Sequence, residues 1–358
     1  MKSRFSARQV NSDNTYTEKN TAKTAVLITN LGSPDEPTTT ALRRYLREFL
    51  SDRRVVEIPR LIWLIILHSV ILRFRPARSA KIYRSIWQKD GAPLLSITAA
   101  QKEKLAKKIK SQYGDTVMVD FAMRYGKPSI ASVLQKFQQQ GIEKIIILPL
   151  YPQYAGPTTG SVFDAVSKEL QQWRYIPSIH FLHSYHNNSF YIEALANTIK
   201  EHVAVHGKPD RLILSYHGMP ELFCQWGDPY DDFCQQTSTL LKQKLLTSPS
   251  SSTCAFSENE IMITFQSRFG KAQWLQPYTD ELLASLPKQG AKHIAILSPG
   301  FSSDCLETLE ELAHENRKIF MDAGGEHYHY IAALNERDDH IDALFDVLSP
   351  TLGAPKLD

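Results

Sequence analysis

Short apolar runs alternate along this chain with longer segments whose apolar positions follow helical spacing. Ala25 to Leu31 (AVLITNL), Thr116 to Met123, Ile145 to Leu150, Arg211 to Tyr216, Ile261 to Phe265 and Ile294 to Leu297 are the runs, and each predicts a buried strand. Ala41 to Leu50, Ala77 to Trp87, Ala99 to Ser111, Pro128 to Gln140, Asp231 to Leu246 and Tyr278 to Leu286 read as helices. Gly32-Ser33-Pro34 closes the first strand and Pro299-Gly300 the last. Strands alternating with helices predict an α/β chain with parallel sheets covered on both faces.

The pattern also repeats. LITNLGSP at Leu27 to Pro34 parallels LILSYHGMP at Leu212 to Pro220, and Arg124-Tyr125-Gly126-Lys127 parallels Arg268-Phe269-Gly270-Lys271. QQGIEKIIILPL at Gln139 to Leu150 parallels KQGAKHIAILSP at Lys288 to Pro299. Two similar α/β domains with a cleft between them follow, over residues 21–175 and 176–350, with the crossover near Gln171 to Ser189. Residues 1–20 read as a disordered polar tail, 351–358 as a short tail, and Ser248 to Ser257 as a surface loop.

A chain of 358 residues, 42% hydrophobic and 22% charged, is a globular protein with room for sizeable cores. A net charge of +3 with no basic, aromatic-interleaved tract excludes a nucleic-acid surface. Cys224, Cys234, Cys254 and Cys305 form no CxxC pair, which fits a reducing cytoplasm, and the first twenty residues lack the apolar core of a secretory signal. Leu61 to Leu72 (LIWLIILHSVIL), flanked by Arg60, Arg73 and Arg75, is too short to span a bilayer. A core helix, the lip of a pocket for a greasy anionic ligand, and a surface resting on a membrane are all open to it.

Chemistry concentrates in Ser298 to Glu315, SPGFSSDCLETLEELAHE. Ser302, Ser303 or Asp304 is placed to cap a helix on which Glu307, Glu311 and Glu315 recur every four residues. Unpaired acids at that spacing oppose the helix by about 0.2–0.5 kcal/mol per pair, which a cation would relieve. Leu306, Leu309, Ala313 and Phe320 form an apolar stripe nearly opposite, so a solvated acidic face fits as well. Ligands of open α/β sheets gather at the carboxyl ends of strands, where Asn30, Arg124, Tyr151, His217 and Arg268 fall. His217 brings to that end an imidazole able to accept a proton near neutral pH or ligate a borderline metal, or simply to serve as a structural hydrogen-bonding group.

SYHGMP at Ser215 to Pro220 and SSDCLETLEEL at Ser302 to Leu312 resemble the two active-site motifs of the ferrochelatases. NLGSP from Asn30, AMRYGKPSI from Ala122, LPLYPQY from Leu148 and TFQSRFGKAQWLQPYT from Thr264 match as well, so the resemblance runs from Ala25 to Leu348. It implies a chelatase fold of two Rossmann-like domains with porphyrin in the cleft, and insertion of ferrous iron into protoporphyrin IX to give protohaem. By resemblance His217 and Glu307 are catalytic, His217, Glu307, Glu311 and Glu315 handle the metal, and Arg75, Tyr83, Arg124 and Tyr125 contact porphyrin. Arg124 and Tyr125 also fit a salt bridge and a core aromatic.

The chain departs from that pattern in three places. Ala92 replaces a contacting serine of some relatives, Cys305 stands where many have histidine, and no cysteine cluster follows Leu348. The expectation is therefore ferrous iron as substrate, no permanently bound cofactor and no iron–sulfur cluster. A cytoplasmic enzyme follows, with room for peripheral contact at the inner membrane face and with an upstream haem-pathway enzyme. A chelatase for another tetrapyrrole such as coproporphyrin or another metal such as cobalt, and a non-catalytic haem or porphyrin carrier, are the alternatives. No HExxH or three-ligand spacing suggests a zinc hydrolase.

Overall fold

The computed structural model describes residues 5–6, 22–247, 255–270 and 272–354. Most of the expected tails and most of the serine-rich loop lie outside the described residues. The chain divides into two compact units. The described residues of Met1–Leu150, Gly156–His183 and Leu344–Asp358 form the first, and those of Tyr151–Ala155 and Ser184–Ala343 the second.

In the first unit β1 (Thr24–Asn30), β2 (Val117–Met123), β3 (Lys144–Pro149) and β4 (Ser178–Phe181) pair in parallel in the order β2-β1-β3-β4. Ala25 to Ile28 and Ile145 to Leu148 are fully buried, as befits central strands covered on both faces. The helices are α1 (Thr39–Leu50), α2 (Arg60–Ile66), α3 (Leu72–Ile86), α4 (Pro93–Tyr113), α5 (Ile130–Gln139) and α6 (Ser161–Leu170). Thr38 Oγ1 caps α1 by accepting from Ala41 N at 3.3 Å, and Ser129 Oγ caps α5 from Ser132 N at 3.2 Å.

The segment Leu61 to Leu72 divides between its expected roles. It runs through α2 and one wide turn, Leu67–Ile71, into α3. Trp63, Leu67 and Leu72 are buried, with Trp63 Nε1 donating to Leu50 O at 2.6 Å, while Leu61, Ile65 and the following Phe74 are 79%, 68% and 72% exposed. One face is core and the other is an open apolar surface.

The second unit repeats the plan. Its strands β5 (Arg211–His217), β6 (Ile261–Gln266), β7 (His293–Leu297) and β8 (His327–Tyr330) are parallel in the order β6-β5-β7-β8, the same permutation as in the first. Around them are α7 (Ser189–His206), α8 (Glu221–Gln225), α9 (Tyr230–Leu246), α10 (Thr279–Ser285), a π-wound helix over Glu307–Asn316 that continues as α11 (Arg317–Asp322), and α12 (Asp338–Leu352). The apolar pattern does not mark β4 and β8, edge strands of four residues, SIHF and HYHY, in which polar side chains alternate with aromatic or aliphatic ones.

Residues 344–354 pack with the first unit. Tyr113 OH donates to Gly353 O at 3.0 Å, Lys144 Nζ donates to Thr351 O, and Lys108 Nζ lies 5.5 Å from the centre of the Phe345 ring. A division of the chain at successive residue numbers does not express that return.

Gly32 makes the turn after β1 with φ of +108°, and a Cβ there would stand 1.8 Å from Tyr125 O. Gly32→Ala should therefore destabilise the protein by about 1–3 kcal/mol through strain at this backbone. Urea unfolding should show a lower midpoint at an unchanged m-value, and an unshifted midpoint would mean the turn relaxes freely.

Candidate active site

Parallel pairing of β5 with β6 sets His217 beside Gln266 at the carboxyl ends of the two strands. The chain then passes very close to itself: Gly218 N donates to Gln266 O at 2.6 Å, and a Cβ on Gly218 would come within 2.7 Å of that oxygen. The glycine of SYHGMP is thus demanded by backbone approach. His217 Nδ1 lies 2.7 Å from Gly218 O. A carbonyl accepts but cannot donate, so Nδ1 carries the proton and the neutral ring presents its lone pair at Nε2. Buried Tyr230 donates its hydroxyl to His217 O at 2.9 Å, holding the backbone that carries the ring.

Gln266 links the two motifs. Its Oε1 accepts from Ser215 Oγ at 2.8 Å and its Nε2 donates to Glu307 O at 3.1 Å, tying the strand end to the acidic helix. Ser267 follows with φ of +68°, a left-handed conformation uncommon outside glycine, and its hydroxyl donates to Glu311 Oε2. Burial raises the Glu311 pKa above the ordinary glutamate value. The Ser267 hydrogen bond, and the positive charge His217 carries whenever it is protonated, act against that rise, and the charge of Glu307 adds to it. His217, Glu307 and Glu311 thus interact electrostatically, whereas Glu315 is exposed.

The acidic helix differs from the α-helix that its spacing suggests. Over Glu307–Asn316 it is π-wound, with hydrogen bonds closed one residue further along than in an α-helix. Its buried positions are Thr308, Leu312 and Asn316, followed by Phe320 in α11, while Leu306, Leu309 and Ala313 are half-buried. The expected stripe Leu306, Leu309, Ala313, Phe320 therefore holds for Phe320 alone, because the wider winding moves the inward face. None of the three cap candidates takes the N-cap position, which falls at Leu306 without a side-chain cap hydrogen bond; Asp304 instead accepts from Thr308 Oγ1 at 3.0 Å, Tyr330 OH at 2.6 Å and Asn335 Nδ2 at 2.7 Å.

Cys305 acquires a role here. Its buried thiol hydrogen-bonds the Glu307 side chain, and burial, then the negative charge of Glu307, hold its pKa well above the usual thiol value. It stays a protonated donor to that carboxylate. Among the described residues no group of three or more His, Cys, Asp or Glu side chains is arranged to hold a metal ion, so His217, Glu307, Glu311 and Glu315 form no ready coordination cage.

In the first unit Arg124 and Tyr125 take the structural alternative. Arg124 NH2 pairs with Asp52 Oδ2 at 2.5 Å and its Nε donates to Ser161 O and Oγ at 2.9 and 2.6 Å. Tyr125, fully buried, donates to Asp52 at 2.8 Å beneath the guanidinium, which sits 4.4 Å from the ring centre. Tyr83 is buried edge-on to Trp87, with ring centres 6.4 Å apart, and Ala92 is buried at the start of α4. Arg75 is exposed on α3. Tyr125 and Tyr83 thus pack against neighbouring aromatic rings or the Arg124 guanidinium, and Arg124 pairs with Asp52. Asn30, also buried, donates to Thr98 Oγ1 at 3.2 Å. Arg268 is bound by Asp280 at 3.1 Å and Glu281 at 2.8 Å.

A ferrochelatase family model matches residues 23–352. The chain belongs to the ferrochelatase family. It is 54% identical to Ferrochelatase 2 of Shewanella oneidensis over 92% of this chain and 98% of that one. It is 52% identical to the ferrochelatase of Shewanella denitrificans over 94% and 99% of the two chains, and 51% identical to that of Pseudoalteromonas atlantica over 96% and 92%. Among solved structures, SirB from Bacillus subtilis with Fe3+ shares the fold at a TM-score of 0.55 and 14% identity, covering 94% of this chain and all of that one. CbiX, described as the terminal enzyme of sirohaem biosynthesis in denitrifying bacteria, does so at 0.50 and 11%, covering 92% of this chain and all of CbiX.

Within this ferrochelatase-family site, Gln266, Ser267 and Tyr230 are parts that reasoning from the strands and the motif glutamates did not single out. Gln266 and Ser267 lie in the TFQSRFGK motif, and the parallel register of β5 and β6 is the signal that points to them.

Two outcomes follow. Because the folded pKa of Glu311 is raised, its carboxyl favours folding below the ordinary glutamate pKa and loses that contribution as pH rises through the folded value. Glu311→Gln, which keeps an acceptor for Ser267, should melt higher than the parent chain at neutral pH and equally at about pH 4 or below. A lower melting temperature at neutral pH would contradict this. Asp52 is the opposite case: burial pushes its pKa up, but hydrogen bonds from Ser161, the Arg54 backbone and Tyr125, with the Arg124 charge, hold it below the usual value. Asp52→Ala, stranding Arg124, should cost about 3 kcal/mol in urea unfolding at neutral pH. The difference should shrink on acidification through the lowered folded pKa of Asp52.

Proposed function

We propose that this chain inserts ferrous iron into protoporphyrin IX to form protohaem, the last step of haem synthesis. Membership of the ferrochelatase family supports the reaction, and the observation that carries the chemistry is the lone pair left at His217 Nε2 beside the Glu307 and Glu311 carboxylates. The two pyrrole N–H protons must leave as the dication enters, so overall Fe2+ replaces two H+. His217 accepts a ring proton at Nε2, and its Nδ1–H bond to Gly218 O stabilises the imidazolium that forms. Glu307, steadied by the Cys305 thiol and by Gln266, offers the carboxylate that binds iron or relays protons.

Glu315 is exposed while Glu311 and Glu307 are half-buried, a gradation suited to drawing a dication inward from solvent. Arg75, exposed on α3, is suited to a porphyrin propionate. Iron is the substrate, and no resident cluster is part of the reading; of the described cysteines, Cys234 and Cys305 are buried and Cys305 is engaged by Glu307. Among the described residues no helix is long and apolar enough to cross a membrane. The reading places the enzyme in the cytoplasm, with Leu61, Ile65 and Phe74 able to rest on the inner membrane face or on the upstream haem-pathway enzyme that supplies the poorly soluble porphyrin.

Anaerobic insertion of ferrous iron into protoporphyrin IX, followed by absorbance, tests the reading. His217→Ala should lower turnover by about 10²–10⁴-fold at saturating iron and porphyrin. Near-normal turnover in that variant would remove His217 from the chemistry, and faster insertion into coproporphyrin than protoporphyrin by the parent chain would change the substrate.

A further inference from the structure

Away from the catalytic motifs, five imidazoles gather in the second unit. Parallel register sets His327 beside His293 and His329 beside Ala295, so His293, His327 and His329 share one face of the β7–β8 pair. His202 and His206, four residues apart, share one face of α7. The ring centres of His202, His206 and His329 form a triangle with sides of 4.6, 4.5 and 5.1 Å, and His293 lies 5.2 Å from His329 and 5.5 Å from His327.

We propose that this cluster is a second metal site, with His202, His206 and His329 as ligands and His293 as the fourth, for a divalent transition ion of imidazole preference such as zinc, cobalt or nickel. Imidazoles bonded at about 2.0–2.1 Å around one tetrahedral ion have ring centres roughly 5 Å apart, which is the spacing among His202, His206 and His329 and between His293 and His329. The second observation is an unmet bonding need: His202 Nε2 and His293 Nε2 are buried and without a hydrogen-bond partner. A ring nitrogen left so is costly, and a shared cation would satisfy both.

As placed, the ring nitrogens do not yet surround one point. His206 is exposed and His329 half-buried, so closing the site takes rotation of side chains at its open end rather than movement of β7 or β8. The ligands come from three elements, α7, β7 and β8, so a bound ion would pin α7 to the edge strand β8.

Equilibrium dialysis of the full chain against zinc at neutral pH tests this, with cobalt as a spectroscopic probe. The parent chain should bind an equivalent that His217→Ala/Glu307→Gln retains and His206→Ala/His329→Ala loses or binds at least about tenfold more weakly. That equivalent should also raise the melting temperature and give cobalt a visible spectrum unaffected by the first pair of substitutions. Loss of all zinc in the His217→Ala/Glu307→Gln chain, or equal binding in the His206→Ala/His329→Ala chain, would overturn the proposal. Should the latter double variant fold poorly, exposed His206→Gln serves alone, and an unchanged zinc affinity would count against the site.

Discussion

The parallel pairing of β5 with β6 is the constraint from which the site follows. It brings the backbone after His217 so near Gln266 that Gly218 N and Gln266 O bond at 2.6 Å. That approach turns the chain so that Gly218 O receives His217 Nδ1, and a single hydrogen bond then decides which ring nitrogen can act as a base. From the same strand end, Gln266 reaches the first residue of the acidic helix and Ser267 reaches Glu311. His217 and the carboxylates are therefore positioned by one strand pair, not by separate loops.

The acidic helix shows how a site accommodates charges it would otherwise expel. Two carboxylates and an imidazole lie within electrostatic reach, and Glu311 is partly withdrawn from water. A hydroxyl from a left-handed serine and the charge His217 carries when protonated act against the desolvation of Glu311 without cancelling it. Such an arrangement favours catalysis or metal handling over stability, since a carboxyl with a raised pKa loses folding free energy at neutral pH. The first unit treats its buried charge differently: Asp52 is saturated by Arg124, Tyr125, Ser161 and the Arg54 backbone, and so binds its surroundings rather than a ligand.

Much of this was legible in the residue pattern. Apolar runs of Ile, Leu and Val marked six of the eight strands, and the internal repeat anticipated the common strand order of the two sheets. His217, Glu307 and Glu311 could be named because their motifs resemble those of the family; spacing and strand-end position alone left a solvated acidic face and a structural histidine open. The short edge strands β4 and β8 escaped, since a half-exposed strand of four residues carries little apolar signal. The five-histidine cluster escaped for a related reason: its members lie on α7, β7 and β8, far apart in the chain.

The sequence by itself determined the alternation of strands and helices, the two-fold repeat, the family and the residue types of the site, because these depend on local periodicity and short motifs. Tertiary structure decided the rest. It wound Glu307–Asn316 as a π-helix, buried Tyr125 and Tyr83, assigned Cys305 to Glu307 and returned residues 344–354 to the first unit. Each of these depends on which distant groups come within a few ångströms, and burial and hydrogen-bond satisfaction exist only once those groups have met.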